Sequence, residues 1–216
     1  MDHSIGDIKI RQCQKKDRDA VAHILAHSFQ KKFCSLTNLS NERIVELLKD
    51  TGFIRPMPDE GHLVAAQNDD VLGIMSLKWK TQNRLKRQNA LNFWQLCKKY
   101  GAVNLTTFLA GMTILNKNVT DDECYIECIA VASTARGLGI GTKLLNFGKK
   151  FVENRLSLTK YTLFVTASNQ RAVRLYEHLG FRVKSSLSSA ITRFLVKEST
   201  WLYMVNELKP KAANNY

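Results

Sequence analysis

Acidic residues are missing from a long central stretch of this 216-residue chain. Between Val71 and Thr120 there is no Asp or Glu, against the basic residues Lys78, Lys80, Arg84, Lys86, Arg87, Lys98, Lys99 and Lys117. The whole chain holds 32 Lys and Arg against 19 Asp and Glu, a net charge of +13 at pH 7. Such an excess favours anionic partners, whether phosphates, nucleic acid or a membrane surface, without choosing among them. Long apolar runs are lacking as well. The longest weakly polar run, Ala102 to Leu115, contains Asn104 and three threonines. A membrane-spanning helix needs about 20 apolar residues, so a buried or amphipathic helix is expected there and no membrane partner. Met1 to Arg11 lacks the apolar stretch of a secretory signal. The five cysteines, Cys13, Cys34, Cys97, Cys124 and Cys128, are odd in number and scattered. They make no disulfide framework for a chain of this size, and a reducing cytoplasm is the simplest setting. With 44% hydrophobic and 24% charged residues, the composition excludes a disordered or collagen-like chain.

What is present is a pattern of alternating elements. Ile8 to Cys13 alternates as an opening strand, and Asp17 is expected to cap a helix carrying Ala20, Val21, Ile24 and Leu25 at helical spacing. Ser40 opens a second helix that Gly52 stops, and Pro56 and Pro58 mark a loop. Runs 62–67 and 71–79, joined by Asn68-Asp69-Asp70, predict a hairpin. The segment from about 81 to 120 reads as a helical insert, with helices over Ala90–Tyr100 and Leu105–Leu115. After Asp121 strands over 124–131, 161–167, 181–186 and 201–208 alternate with helices over 142–156 and 169–180. Right-handed βα units with locally parallel strands follow. One domain over 1–216 is expected, its core about 8–208.

The turn RGLGIG, Arg136 to Gly141, lies between an apolar strand and an amphipathic helix. Glycines ahead of a helix N-terminus leave backbone N–H groups free for a phosphate. The dinucleotide fingerprint does not fit, because the spacing is G-x-G-x-G late in the chain, and the Walker loop does not fit, because Thr142 stands where its lysine belongs. Alone, the turn is equally compatible with no ligand. One βα unit later stands N-x-x-A-x-x-L-Y-x-x-x-G-F, as Asn169, Ala172, Leu175, Tyr176, Gly180 and Phe181. With Arg136, Gly139 and Gly141 before it, the sequence resembles the GNAT superfamily of N-acetyltransferases, in the order and separation of that family's signatures. Ser133 stands where many members have proline.

The resemblance implies an α/β fold with a mixed, mostly antiparallel sheet, a parallel central pair and flanking helices, here with a helical insert. It implies acetyl-CoA as acetyl donor and direct transfer to an amine. By resemblance, the backbone of Ile129, Ala130 and Val131 would pair with the pantetheine arm as an added strand would. The amides of Arg136, Gly137, Leu138, Gly139, Ile140, Gly141 and Thr142 would hold the pyrophosphate. Asn169 would touch the cofactor arm while capping its helix, and a backbone N–H near Val131 would stabilise the oxyanion. Tyr176 has two readings: an aromatic on a buried helix face, or the acid that protonates the departing thiolate.

A primary amine with a pKa near 10 must lose a proton before it attacks, so a base is expected. Glu127 is the candidate, on a strand face that alternation shares with Tyr125, Ile129 and Val131; a solvated strand carboxylate is its other reading, and Glu123 is a second acid nearby. No metal is expected: His23 and His27 lack the Glu of H-E-x-x-H, and Cys124 and Cys128 have no second pair. The basic insert with Trp79, Phe93 and Trp94 is read as a solvated lysine face, with a helix folding over the acceptor groove; nucleic acid is the weaker alternative. The expected acceptor is a small-molecule amine, with a protein or peptide amine as the alternative. A module of another class, sensing CoA or binding nucleic acid without turnover, is told apart by salt-dependent binding. A homodimer through strand 201–208 stays open.

Overall fold

The structure, a computed structural model, describes residues 7–54, 60–80, 92–114, 117–188, 193 and 198–209. Pro56 and Pro58 and the leading stretch of the insert, 81–91, lie outside them.

The strands β1 (Lys9–Gln12), β2 (His62–Gln67), β3 (Asp70–Lys78), β4 (Glu123–Val131), β5 (Lys160–Thr166), β6 (Arg182–Ser188) and β7 (Thr200–Glu207) form one sheet of order β1-β2-β3-β4-β5-β7-β6. Only the β4–β5 pair is parallel among the hydrogen-bonded neighbours. The last strand, β7, slots between β5 and β6, so the α7 crossover leaps one strand. The fold is therefore the mixed, mostly antiparallel α/β sheet with a central parallel pair.

Two apolar layers cover the sheet. On one face α6 (Ile140–Glu153) and α7 (Gln170–His178) bury Leu144, Leu145, Val173 and Tyr176 against Met75, Leu77, Cys124, Ile126 and Tyr161. Gly148 lets α6 lie this close, because a Cβ there would overlap the Tyr161 hydroxyl. On the other face α1 (Arg18–Ser28), α3 (Asn41–Asp50), α4 (Phe93–Tyr100) and α5 (Ala102–Ile114) pack around Val64, Ile74 and Ala130.

One local expectation is corrected. Asp17 does not cap α1 with its side chain; its carboxylate takes the Arg11 guanidinium at 2.6 and 2.9 Å and the Gln14 N–H at 2.7 Å, closing the short 3-10 turn before the helix. The first helix also breaks at Phe29 (φ −110°, ψ 20°), and a separate α2 (Gln30–Leu36) turns away from it. Ser40 does cap α3, accepting the Arg43 N–H at 3.4 Å.

The insert packs behind α2 and α3. Tyr100 Oη donates to Asp50 at 2.7 Å, Lys99 pairs with Asp50 at 2.9 Å and Glu46 at 3.2 Å, and Thr107 donates to the Leu36 carbonyl. Its described helices therefore buttress α2 and do not fold over the groove. Two cations just before the insert serve the fold: Lys80 pairs with Asp121 at 2.8 Å, and Lys78 donates to the Lys117 carbonyl at 2.6 Å. Among the described residues no helix is long and apolar enough to cross a membrane.

Candidate active site

The site begins with a defect in strand pairing. β4 and β5 are paired from Glu123↔Lys160 to Ile126↔Leu163 and no further, although both strands continue. Beyond that point β5 is held by β7 through Thr166↔Trp201, and β4 by β3 through Val131↔Gly73. The two inner edges part, and β4 runs on from Ile129 to Val131 outside the β4–β5 ladder. An edge of this kind takes an added extended segment.

A β-bulge stands at the fork. Ser76 pairs with Cys128 and Leu77 with Ile126, which leaves Glu127 as the extra residue. A bulge shifts the alternation by one. Cys124 and Ile126 face α6, but Cys128 and Ala130 join the layer under α1, while Ile129 and Val131 pack toward α6. The expected single face of Tyr125, Glu127, Ile129 and Val131 is thus split. Glu127 stays on the α1 side, where its Oε2 accepts from Ser76 Oγ at 3.0 Å.

A cleft of about 1080 Å³ opens at this fork. Glu127, Ile129, Asn169 and Tyr176 line it, with Tyr125, Cys128, Phe164 and Trp201. Tyr176 is 8% exposed and packs edge-on against Phe181 at 5.8 Å. Burial pushes its phenol up to about 12, so it holds its proton throughout the neutral range. Asn169 caps α7, its Oδ1 accepting the Ala172 N–H at 3.2 Å.

The turn Arg136–Thr142 follows β4 and lies outside the cleft lining. Gly137 (φ 87°) and Gly139 (φ 71°) adopt the left-handed conformation that glycine alone takes without strain. A Cβ at either would meet nothing within 4 Å, so conformation and open approach, not packing, call for glycine. Gly139 immediately precedes α6. The first N–H groups of that helix, from Ile140, Gly141 and Thr142, have no intrahelical acceptor. A Cβ on Gly141 would stand 3.9 Å from Leu175, so the two sequence signatures meet in space.

Glu123, the second acid considered, does not line the cleft. It is 1% exposed and accepts from Lys117 Nζ, Thr162 Oγ1, Tyr203 Oη at 2.8 Å and the Thr120 N–H at 3.2 Å. Burial alone would push its carboxyl up; the bonds from Lys117, Thr162 and Tyr203 outweigh that and hold it below the ordinary range. Its work is structural. Cys124 is likewise core, its thiol pushed up to about 12 by burial.

Sequence reasoning missed the opposite wall. Phe29 and Lys32 from the α1–α2 corner, Lys117 behind α5, Phe164 on β5 and Trp201 on β7 all reach the cleft. Alternation alone could have flagged Phe164; nothing local marks Lys32 or Lys117.

A family profile described as the acetyltransferase (GNAT) family matches residues 19–181. The chain belongs to the GNAT acetyltransferase family. A mycothiol acetyltransferase of Acidothermus cellulolyticus is 43% identical over 60 residues, 28% of this chain and 17% of that protein. The GNAT chain thus matches less than a fifth of the length of that relative. Among solved structures, an N-acetyltransferase from Staphylococcus aureus Mu50 superposes with a TM-score of 0.63 at 22% identity, covering 91% of this chain and 99% of that one. Another acetyltransferase superposes with a TM-score of 0.60 at 20% identity, covering 93% and 100%. At such identities these likenesses show the fold. GNAT enzymes bind acetyl-CoA and an acceptor.

Proposed function

We propose that this protein transfers an acetyl group from acetyl-CoA directly to the primary amine of a small molecule. The observation that carries the reading is the fork between β4 and β5, which brings a parted strand edge, a buried phenol and a carboxylate to one cleft. The edge at Ile129, Ala130 and Val131 would hold the pantetheine arm, and amides from Arg136 to Thr142 would hold the pyrophosphate. The amine, entering from the α1 side, would deliver its proton to Glu127, directly or through water. Attack on the thioester carbonyl forms a tetrahedral oxyanion, stabilised by a backbone N–H near Val131. As that intermediate collapses, the C–S bond breaks and Tyr176 gives its proton to the sulfur.

The Ser76 hydrogen bond fixes the Glu127 carboxylate at the mouth of the bulge, which suits a base better than a mobile surface acid. The test is amine-dependent thiol release by the wild type and by Glu127→Gln. The variant is expected to lose about 100-fold in rate at neutral pH and to recover as pH rises toward the pKa of the free amine, where no base is needed. Equal rates at neutral pH would remove Glu127 from the mechanism.

A further inference from the structure

At the cleft, two hydrogen-bond donors, Lys32 Nζ and Trp201 Nε1, find no acceptor among the described residues. Lys32, on α2, lines the cleft with its Nζ 4.7 Å from the Trp201 ring centroid and 5.2 Å from that of Phe29. Among the described residues its ammonium makes no ion pair. Glu198 is the acid that faces it, and that carboxylate is held by Ser168 Oγ at 2.9 and 3.0 Å. Trp201 is buried at 9% exposure, and its Nε1–H finds no acceptor among the described residues. Burial already lowers the pKa of Lys32, with Glu198 opposing. A desolvated ammonium over two aromatic faces keeps some stabilisation from the rings, yet its hydrogen bonds remain unmade. The other two lysines of the lining differ: Lys31 is exposed to solvent, and Lys117, over the Tyr125 and Tyr203 rings, is neutralised by Glu123.

Between Lys32 and Glu127 the floor is aromatic. Tyr125 and Phe164, both in the lining, stand 6.2 Å apart. Trp201 lies on β7 and Glu127 on β4, with β5 between them and the β4–β5 pairing already ended, so the two lie at least about 10 Å apart, two paired-strand spacings. An acceptor whose amine reaches Glu127 therefore has an apolar surface to lie on and an unpaired cation at its far end.

We propose that Lys32, held over the Trp201 ring, forms a seat for a carboxylate, and that the acceptor is an aminocarboxylic acid whose acid group lies several bonds from the reacting amine. The inference rests on the acetyl-transfer reading only for the direction in which the amine points. A carboxylate would pair with the Lys32 ammonium through charge-assisted bonds in a partly dry corner.

Aminooctanoate, whose extended chain spans a comparable distance, and octylamine form a matched pair of probes. Each is titrated calorimetrically into the full-length protein in the presence of CoA, for the wild type, Lys32→Met and Lys32→Arg. The wild type is expected to bind aminooctanoate about tenfold or more tighter than octylamine. Lys32→Met should erase that preference, and Lys32→Arg should keep most of it, which separates lost charge from lost packing. Equal affinities in the wild type, a preference that survives Lys32→Met, or no binding of either probe would overturn the seat. Thiol release from acetyl-CoA is read separately: a preference without release would count against acetyl transfer and not against the seat.

Discussion

Tyr176→Phe is expected to slow amine-dependent thiol release by about 100-fold or more while leaving acetyl-CoA affinity nearly unchanged. The ring stays packed on Phe181 and within the α6–α7 layer, so the variant keeps its fold and loses one hydroxyl. That hydroxyl belongs to a phenol whose proton burial retains up to about 12. A departing thiolate has an ordinary pKa near 8.5, and a phenol that keeps its proton can donate a hydrogen bond to the charge that gathers on the sulfur as the C–S bond breaks. The cost should therefore persist from neutral pH to about 10 and shrink toward 12, where the wild type also loses its proton. Stopped-flow thiol detection across that range measures it. A variant with the full wild-type rate would return Tyr176 to the role of a core aromatic.

The second large effect is on stability. Glu123→Ala should destabilise the protein by about 3 kcal/mol, the low end for breaking a buried pair, since Lys117 is partly exposed and can turn toward water. What remains behind is costly for another reason: Thr162 is 0% exposed, and its hydroxyl would lose its acceptor. The sign with pH follows from the lowered carboxyl of Glu123. A depressed folded-state pKa gives stability that is present above the ordinary carboxylate range and lost as pH falls through the folded value. The gap between wild type and variant in urea denaturation should thus be full at neutral pH and close on acidification below about 4. A gap that is absent at neutral pH would mean that the cluster at the base of the fork adds no net stability.

The same strand shows how far the sequence could be read. The alternation was enough to expect most elements between Ile8 and Leu208, though not the separate α2, because each signal is local; the mixed sheet came from the resemblance that the two glycine-bearing signatures carry. The bulge at Glu127 is not local. It arises from the register of β3 against β4, and it alone moves Cys128 and Ala130 to one face and Ile129 and Val131 to the other. The far wall was illegible for the same reason. Lys32 reaches Trp201 only because the chain breaks at Phe29 and because β7 inserts beside β5, bringing together residues far apart in sequence. The insert's described stretch, 92–114, is helical as read, but its use could not be read: its packing against Leu36, Glu46 and Asp50 depends on where α2 and α3 stand. The pair of acids on β4 was the hardest case. Glu123 and Glu127 look alike as residues, and only the contacts of Lys117, Thr162 and Tyr203 mark the first as structural.

The central claim is that the parted strands and the glycine turn are a seat for acetyl-CoA. Calorimetric titration of the full-length protein with acetyl-CoA, with NAD as the control dinucleotide, tests it most directly. The account predicts one-to-one binding in the micromolar range, about −8 kcal/mol, and no comparable heat with NAD. Equal affinity for NAD, or no binding of acetyl-CoA, would contradict it and leave RGLGIG as a turn between a strand and a helix.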